Sequence, residues 1–159
     1  FYRYFDDKAA LVDALVVPVE RAVIDAFAQC ESMVREAHDE LSLNLAYQSL
    51  AISLFPVAMG HLDVLRLYLQ EHRAPSVGAR ACIGVLSREL SDAAIALSVV
   101  AVEHGLLDVP DPRVSATAVV GAVEALGLLY LDGRIDLSPA ELGAMLVRIV
   151  LDGIRKRPA

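Results

Sequence analysis

Apolar residues recur along this chain every three to four positions, and apolar–polar alternation is nowhere sustained. That period is what an α-helix imposes on the side it buries, so the chain reads as all-α. Ala and Leu outnumber the β-branched residues outside a few Val clusters, in keeping with that class. Pro56, Pro75, the stretch Val109-Pro110-Asp111-Pro112, and the turn from Asp132-Gly133-Arg134 to Leu137-Ser138-Pro139 punctuate it. They leave predicted helices over 7–30, 35–55, 57–72, 76–105, 112–131 and 139–155. Pro18 falls inside the first run, where a missing N–H and a steric ring predict a kink or a break. Ser138-Pro139-Ala140-Glu141 reads as a helix start, with Ser as cap, Pro at the first position and Glu at the third.

The last two runs carry more apolar surface than one domain's core needs. In 139–155 the charges Glu141, Arg148, Asp152 and Arg155 are spaced seven, four and three apart and share one face. Most of the remaining circumference is apolar, whereas a helix packed only on its own domain needs a stripe. Run 114–131 holds eighteen residues whose only formal charge is Glu124. Composition agrees: 56% of the chain is hydrophobic and its mean hydropathy is +0.50. These two helices are therefore expected to pair with a second copy in a dimeric four-helix bundle. Val120, Val123, Gly127, Leu142, Met145, Leu146, Ile149 and Val150 are its interface candidates. A membrane span over 114–131 is the competing account, since its length just reaches the minimum for a bilayer. Glu124 near its middle, Ser115, Thr117, Gly121 and Gly127 count against a span, and the expectation is no membrane partner. Glu124 itself faces solvent, pairs with a cation across the interface, or lines a cavity, because a buried carboxylate without a partner is costly.

The chain opens on Phe1-Tyr2-Arg3-Tyr4-Phe5-Asp6-Asp7-Lys8-Ala9-Ala10-Leu11. Asp6 or Asp7 caps the first helix by accepting from its free N–H groups. Lys8 in the first turn opposes the helix dipole, and makes better sense if an anion docks on it and on the amides. Tyr2, Tyr4 and Lys8 are thus candidate DNA-phosphate contacts that set position without reading sequence, while Phe5 is a core anchor. This pattern resembles the end of the recognition helix in the TetR family of ligand-responsive transcriptional regulators. There an aliphatic or aromatic residue, Tyr, any residue, His or Tyr, and Phe are followed by a two-residue turn and a Lys. Tyr2, Tyr4, Phe5 and Lys8 match, and Leu11 falls on the next apolar position; Phe1 and Ala9 depart from the commoner residues. The resemblance implies that 1–30 is the end of a DNA-binding domain with its connecting helix, its helix-turn-helix otherwise missing from the chain. Residues 31–159 would form an effector-binding and dimerisation domain. It also implies operator DNA as partner, bound through that N-terminal segment, and a repressor released by a small, mostly apolar effector. With a net charge of −7, any DNA affinity is expected to come mostly from the missing part of that segment.

The middle helices are the place for an effector. Asn44, Tyr47, Gln48, Ala51 and Phe55 recur at helical spacing, a mixed aromatic and amide stripe of the kind that lines ligand sites. The plainer reading puts Asn44 and Gln48 in water and the two aromatics in the core. Met59, Leu62 and Tyr68 on the next helix would cap the cavity, and Ser91 and Glu124 would add polar groups. Ser91 belongs to a row of small residues (Gly84, Ser87, Ala94, Ser98, Ala101, Gly105) that more often serves close helix approach. Cys30 and Cys82, far apart and without CxxC spacing, read as buried free thiols in a cytoplasmic protein. His38, His61, His72 and His104 sit at or near helix ends, where solvation is the ordinary fate. Hydrolase, phosphate-loop and metalloprotease motifs are absent from the sequence, so neither an enzyme nor a metal or cofactor is expected. The alternative is an all-helical dimeric small-molecule binding or sensor module without a DNA role.

Overall fold

A computed structural model describes residues 7–154, apart from the side chains of residue 139 and of 151–154. Residues 1–6, and with them Tyr2, Tyr4 and Phe5, lie outside the described residues, as does the basic end 155–159. The fold is all-α: α1 (Lys8–Glu36), α2 (Glu40–Gly60), α3 (Leu62–Glu71), a 3-10 turn (Gly78–Arg80), α4 (Ala81–Glu103), α5 (Pro112–Leu131) and α6 (Pro139–Ile154).

Local chemistry fixes most of the boundaries. Asp7 starts α1 by accepting from the Ala10 amide at 2.8 Å. Asp39 starts α2 through a capping box with Ser42, each side chain satisfying the other's backbone N–H. Asp111 accepts from the Arg113 amide at 2.9 Å ahead of α5. The expected start of α6 is present: Glu141 accepts from the Ser138 amide at 2.8 Å, and Ser138 Oγ accepts from the Glu141 amide at 3.3 Å. Gly105 and Gly133 end α4 and α5 at φ 68° and 67°, the left-handed turn that lets the next amides reach back to the last carbonyls.

Two expected breaks are not breaks. α1 runs unbroken through Pro18, and α2 through Pro56 to Gly60. Both prolines lie on exposed faces, and so do Ala14 and Ile52, whose carbonyls lose their donors. Those carbonyls are open to water, and burial on the opposite face outweighs the lost bond, so each helix continues past its proline. The real junctions are 37–39, which Asp39 defines, and His61, which ends α2 and begins α3 in a single residue at φ −135°, ψ 46°. The expected helix over 76–105 likewise begins five residues later, after the 3-10 turn.

α1 and α4 form the centre, and α2, α3 and α5 pack around them. Their C-terminal halves meet α2 and the start of α5 around Cys30, Val34, Leu43, Ala46, Ala101 and Ala116. Their N-terminal halves meet α3 around Val16, Val64, Leu69, Ile83 and Leu86. In the row of small residues on α4, Gly84 admits a loop rather than a second helix: a Cβ there would collide with the Ser76 side chain. α6 lies on α2, with Gly143 opposite Ala51.

Candidate functional site

The polar groups that the apolar helices enclose converge where α3 ends against α5. Tyr68 and His72, four residues apart on α3, share a face and stack with ring centroids 4.9 Å apart and planes 15° from parallel. Glu124 of α5 reaches into this corner. Its Oε1 accepts from the Tyr68 hydroxyl at 2.7 Å. Its Oε2 lies 3.1 Å from His72 Nε2 and 3.7 Å from Arg73 Nη2. The side chains of His72 and Glu124 are 7% and 11% exposed, whereas that of Arg73 is 74% exposed. Burial first, and then the Glu124 carboxylate, push the Tyr68 hydroxyl well above the usual tyrosine range, so it remains a donor. Glu124 is thus partnered inside its own chain. His72, at a helix end where solvation was expected, is buried. The sequence signal for this cluster was present: an i, i+4 Tyr–His pair closing one helix and the lone charge of another. Only the topology brings them together.

A cleft of about 210 Å³ lies between the start of α1, the end of α3 and the 3-10 turn. Lys8, Glu71 and Arg80 line it with apolar neighbours such as Val12 and Ile83, and Arg80 is ion-paired to Glu71.

The seven effector candidates are distributed over three helices. Gln48 is exposed and its amide donates to Asn44 Oδ1 at 3.1 Å. Tyr47 packs on the main core, and burial, then the neighbouring Cys30, raise its hydroxyl well above the ordinary value. Phe55 is 39% exposed, Met59 is half-buried, and Ser91 donates to the Ser87 carbonyl at 2.9 Å. None of the seven lines the cleft of Lys8 and Arg80. Of the interface candidates, Val123, Met145 and Ile149 are exposed at 48%, 48% and 62%. Leu142, Leu146 and Val150 are half-buried. Val120 packs on its own core, and a Cβ on Gly127 would lie 3.2 Å from Leu69 of α3.

Both cysteines are free and buried. Burial pushes the Cys30 thiol up to about 12, and burial, then Asp13, push Cys82 up to about 11; neither is a ready nucleophile. Among the described residues, no group of three or more His, Cys, Asp or Glu side chains is placed to hold a metal ion. α2 and α5 are long and apolar enough to cross a membrane by length and composition.

No protein-family model and no curated protein matches the chain. Among solved structures, a protein of unknown function from Rhodococcus sp. RHA1 is similar, with a TM-score of 0.68 at 21% identity. The match covers 96% of this chain and 76% of that one. At that identity the likeness is one of fold.

Proposed function

We propose that the chain is the effector-binding and dimerisation part of a TetR-like transcriptional regulator, a cytoplasmic homodimer that responds to a small, mostly apolar molecule. The observation that carries the reading is the opening pattern Tyr2, Tyr4, Phe5, Lys8 leading into the Asp7-capped α1. A helix-turn-helix preceding Phe1 would supply the base contacts, and Lys8 with the α1 amides would hold a phosphate. The exposed apolar residues of α5 and α6 support the dimer, which would set two such heads on successive major grooves. An effector would release DNA only through its difference in affinity for the two arrangements of the dimer.

The test is operator binding by protein that carries the helix-turn-helix this reading places before Phe1. Genomic DNA fragments selected on it should bind with an affinity that falls steeply with salt, and replacing Tyr2, Tyr4 and Lys8 should weaken binding. Binding that ignores salt, or none to any fragment, removes the regulator. A dimer that then carries a small molecule in native mass spectrometry would leave a binding module without a DNA role.

A further inference from the structure

α2 is apolar on two opposite sides. The inner side belongs to the core: Leu43 and Ala46 are buried, and Tyr47, Leu50 and Leu54 pack on the main cluster. On the outer side Leu41, Leu45, Gln48, Ile52, Phe55 and Met59 follow one another at spacings of four, three, four, three and four. That is a 3.5-residue repeat, the narrow seam of a two-stranded coiled coil rather than the broader stripe of a domain helix. Leu41, Leu45 and Ile52 are 70%, 53% and 72% exposed. The seam runs about 27 Å along a helix that continues through Pro56.

Charge narrows what can cover it. Copies of a chain with net charge −7 repel one another over most of their surface. α2 is exempt, because Glu40, ahead of the seam, is its only charged residue. Ser42, Asn44 and Ser49 flank the seam, so it offers neither the charges that select a foreign helix nor the basic residues that hold an anionic membrane. A second copy of the same helix needs neither. Gln48 sets the orientation. Its amide donates to Asn44 Oδ1 at 3.1 Å, which leaves its carbonyl and second N–H to face outward. Parallel pairing in register sets it against its own copy, where each amide donates to the other. Antiparallel pairing about the centre of the seam sets it against Ile52, where it goes unpaired. Ile52 and Leu41 also fall on the seam positions that β-branched and Leu side chains favour in parallel pairs.

We propose that α2 is a self-association surface, its exposed seam from Leu41 to Met59 pairing in parallel and in register with the same seam of a second copy. The surface lies on a different helix from the apolar residues of α5 and α6, so it goes beyond the dimer proposed above and joins one such dimer to the next. A single seam stands at the small end of specific interfaces, below about 1,200 Å². The pair is therefore weak, forms only above micromolar concentration, and leaves the outer face of α2 open in dilute protein.

Disulfide trapping and sedimentation test this. Ile52→Cys should cross-link to its own copy under mild oxidation in concentrated protein, since facing seam positions of a parallel pair lie within the roughly 4.4–6.8 Å between Cα atoms that a disulfide spans. Cys30 and Cys82 are buried and do not compete. Gln70→Cys, exposed on α3, should stay reduced. Met145→Glu with Ile149→Glu isolates the seam from any pairing through α6. In that background the sedimenting mass should rise from one chain toward two as concentration reaches hundreds of micromolar. Ile52→Glu should abolish the rise, and Gln48→Leu should tighten the pair by about tenfold, as removal of a polar group from a seam does. A monomer at every concentration, a rise that survives Ile52→Glu, or equal cross-linking of Gln70→Cys overturns the proposal. So does cross-linking of Ile52→Cys chains to Gln48→Cys chains alone, the antiparallel outcome. Partition onto phosphatidylcholine vesicles without self-association gives the seam to a membrane and overturns it equally.

Discussion

α1 carries eight formal charges over 29 residues and buries six of its side chains; α5 carries two over 20 and buries one, Ala116. The more polar helix is the more deeply packed. α1 concentrates its apolar residues on the sides that α4 and α2 cover, and sheds its charges to water. α5 is apolar nearly all round, and one chain offers it neighbours on only part of its circumference. Val114 and Val123 of α5 remain 67% and 48% exposed. Between these two helices, the amphipathic one is packed within the chain and the uniformly apolar one is left partly uncovered.

The sharpest way to break this contrast is to cut into both sides of it. Leu43→Ala removes a side chain of α2 sealed in the main core cluster, and should cost about 2–5 kcal/mol in denaturant unfolding. Ile52→Ala, on the exposed face of the same helix, should cost within about 0.5 kcal/mol. Equal losses would mean that the outer face of α2 is packed after all.

The dimer reading of α5 and α6 expects Met145→Glu with Ile149→Glu to weaken self-association by about two orders of magnitude or more in sedimentation, as loss of a central apolar contact does. The unfolding midpoint of the resulting monomer should barely move, because neither residue serves its own core. A wild-type chain already monomeric at micromolar concentration would leave the apolar surplus of α6 without that explanation.

Gly121 reads the same surface by sign. A Cβ there meets nothing within 4 Å in the single chain. Gly121→Ala should therefore stabilise the isolated chain by up to about 1 kcal/mol through helix propensity. If a second helix lies close against α5, the same methyl weakens the dimer, and unfolding measured against protein concentration separates the two outcomes.

The smallest effect belongs to the centre. Burial, and then the Glu89 carboxylate of α4, raise the Glu20 carboxyl of α1 above its ordinary value. The fold thus favours its protonated form. That contribution is complete below the ordinary carboxylate range and is lost as pH rises through the raised value. Glu20→Gln should stabilise the chain at neutral pH, with the gain vanishing in acid; a gain independent of pH would assign it to packing instead.

The helical class and the α5 and α6 boundaries were legible because periodicity, Pro112 and the Ser138–Glu141 cap all point the same way. Pro18 and Pro56 misled because a proline's local cost is small beside burial along a long helix, when the orphaned carbonyl faces water. The junction at 37–39 was written in the Asp39–Ser42 capping box, a pattern hidden inside a run of helix formers. The Tyr68–His72–Glu124 corner was not legible as a unit: its members are 56 residues apart in sequence, and only the return of α5 alongside α3 joins them. The stripe from Asn44 to Phe55 illustrates the opposite case, since helical spacing places side chains on one face without saying what that face meets.

The unbroken course of α1 past Pro18 has a mechanical consequence. At about 1.5 Å per residue its 29 residues make a rod roughly 44 Å long. Val12 and Val16 of its first half are buried in one core cluster, and Cys30 and Val34 of its second half in the other. One stiff element therefore splices the two clusters, and a helix broken at the proline would let them shift against each other. Strain entering either cluster is passed along α1 to its neighbour.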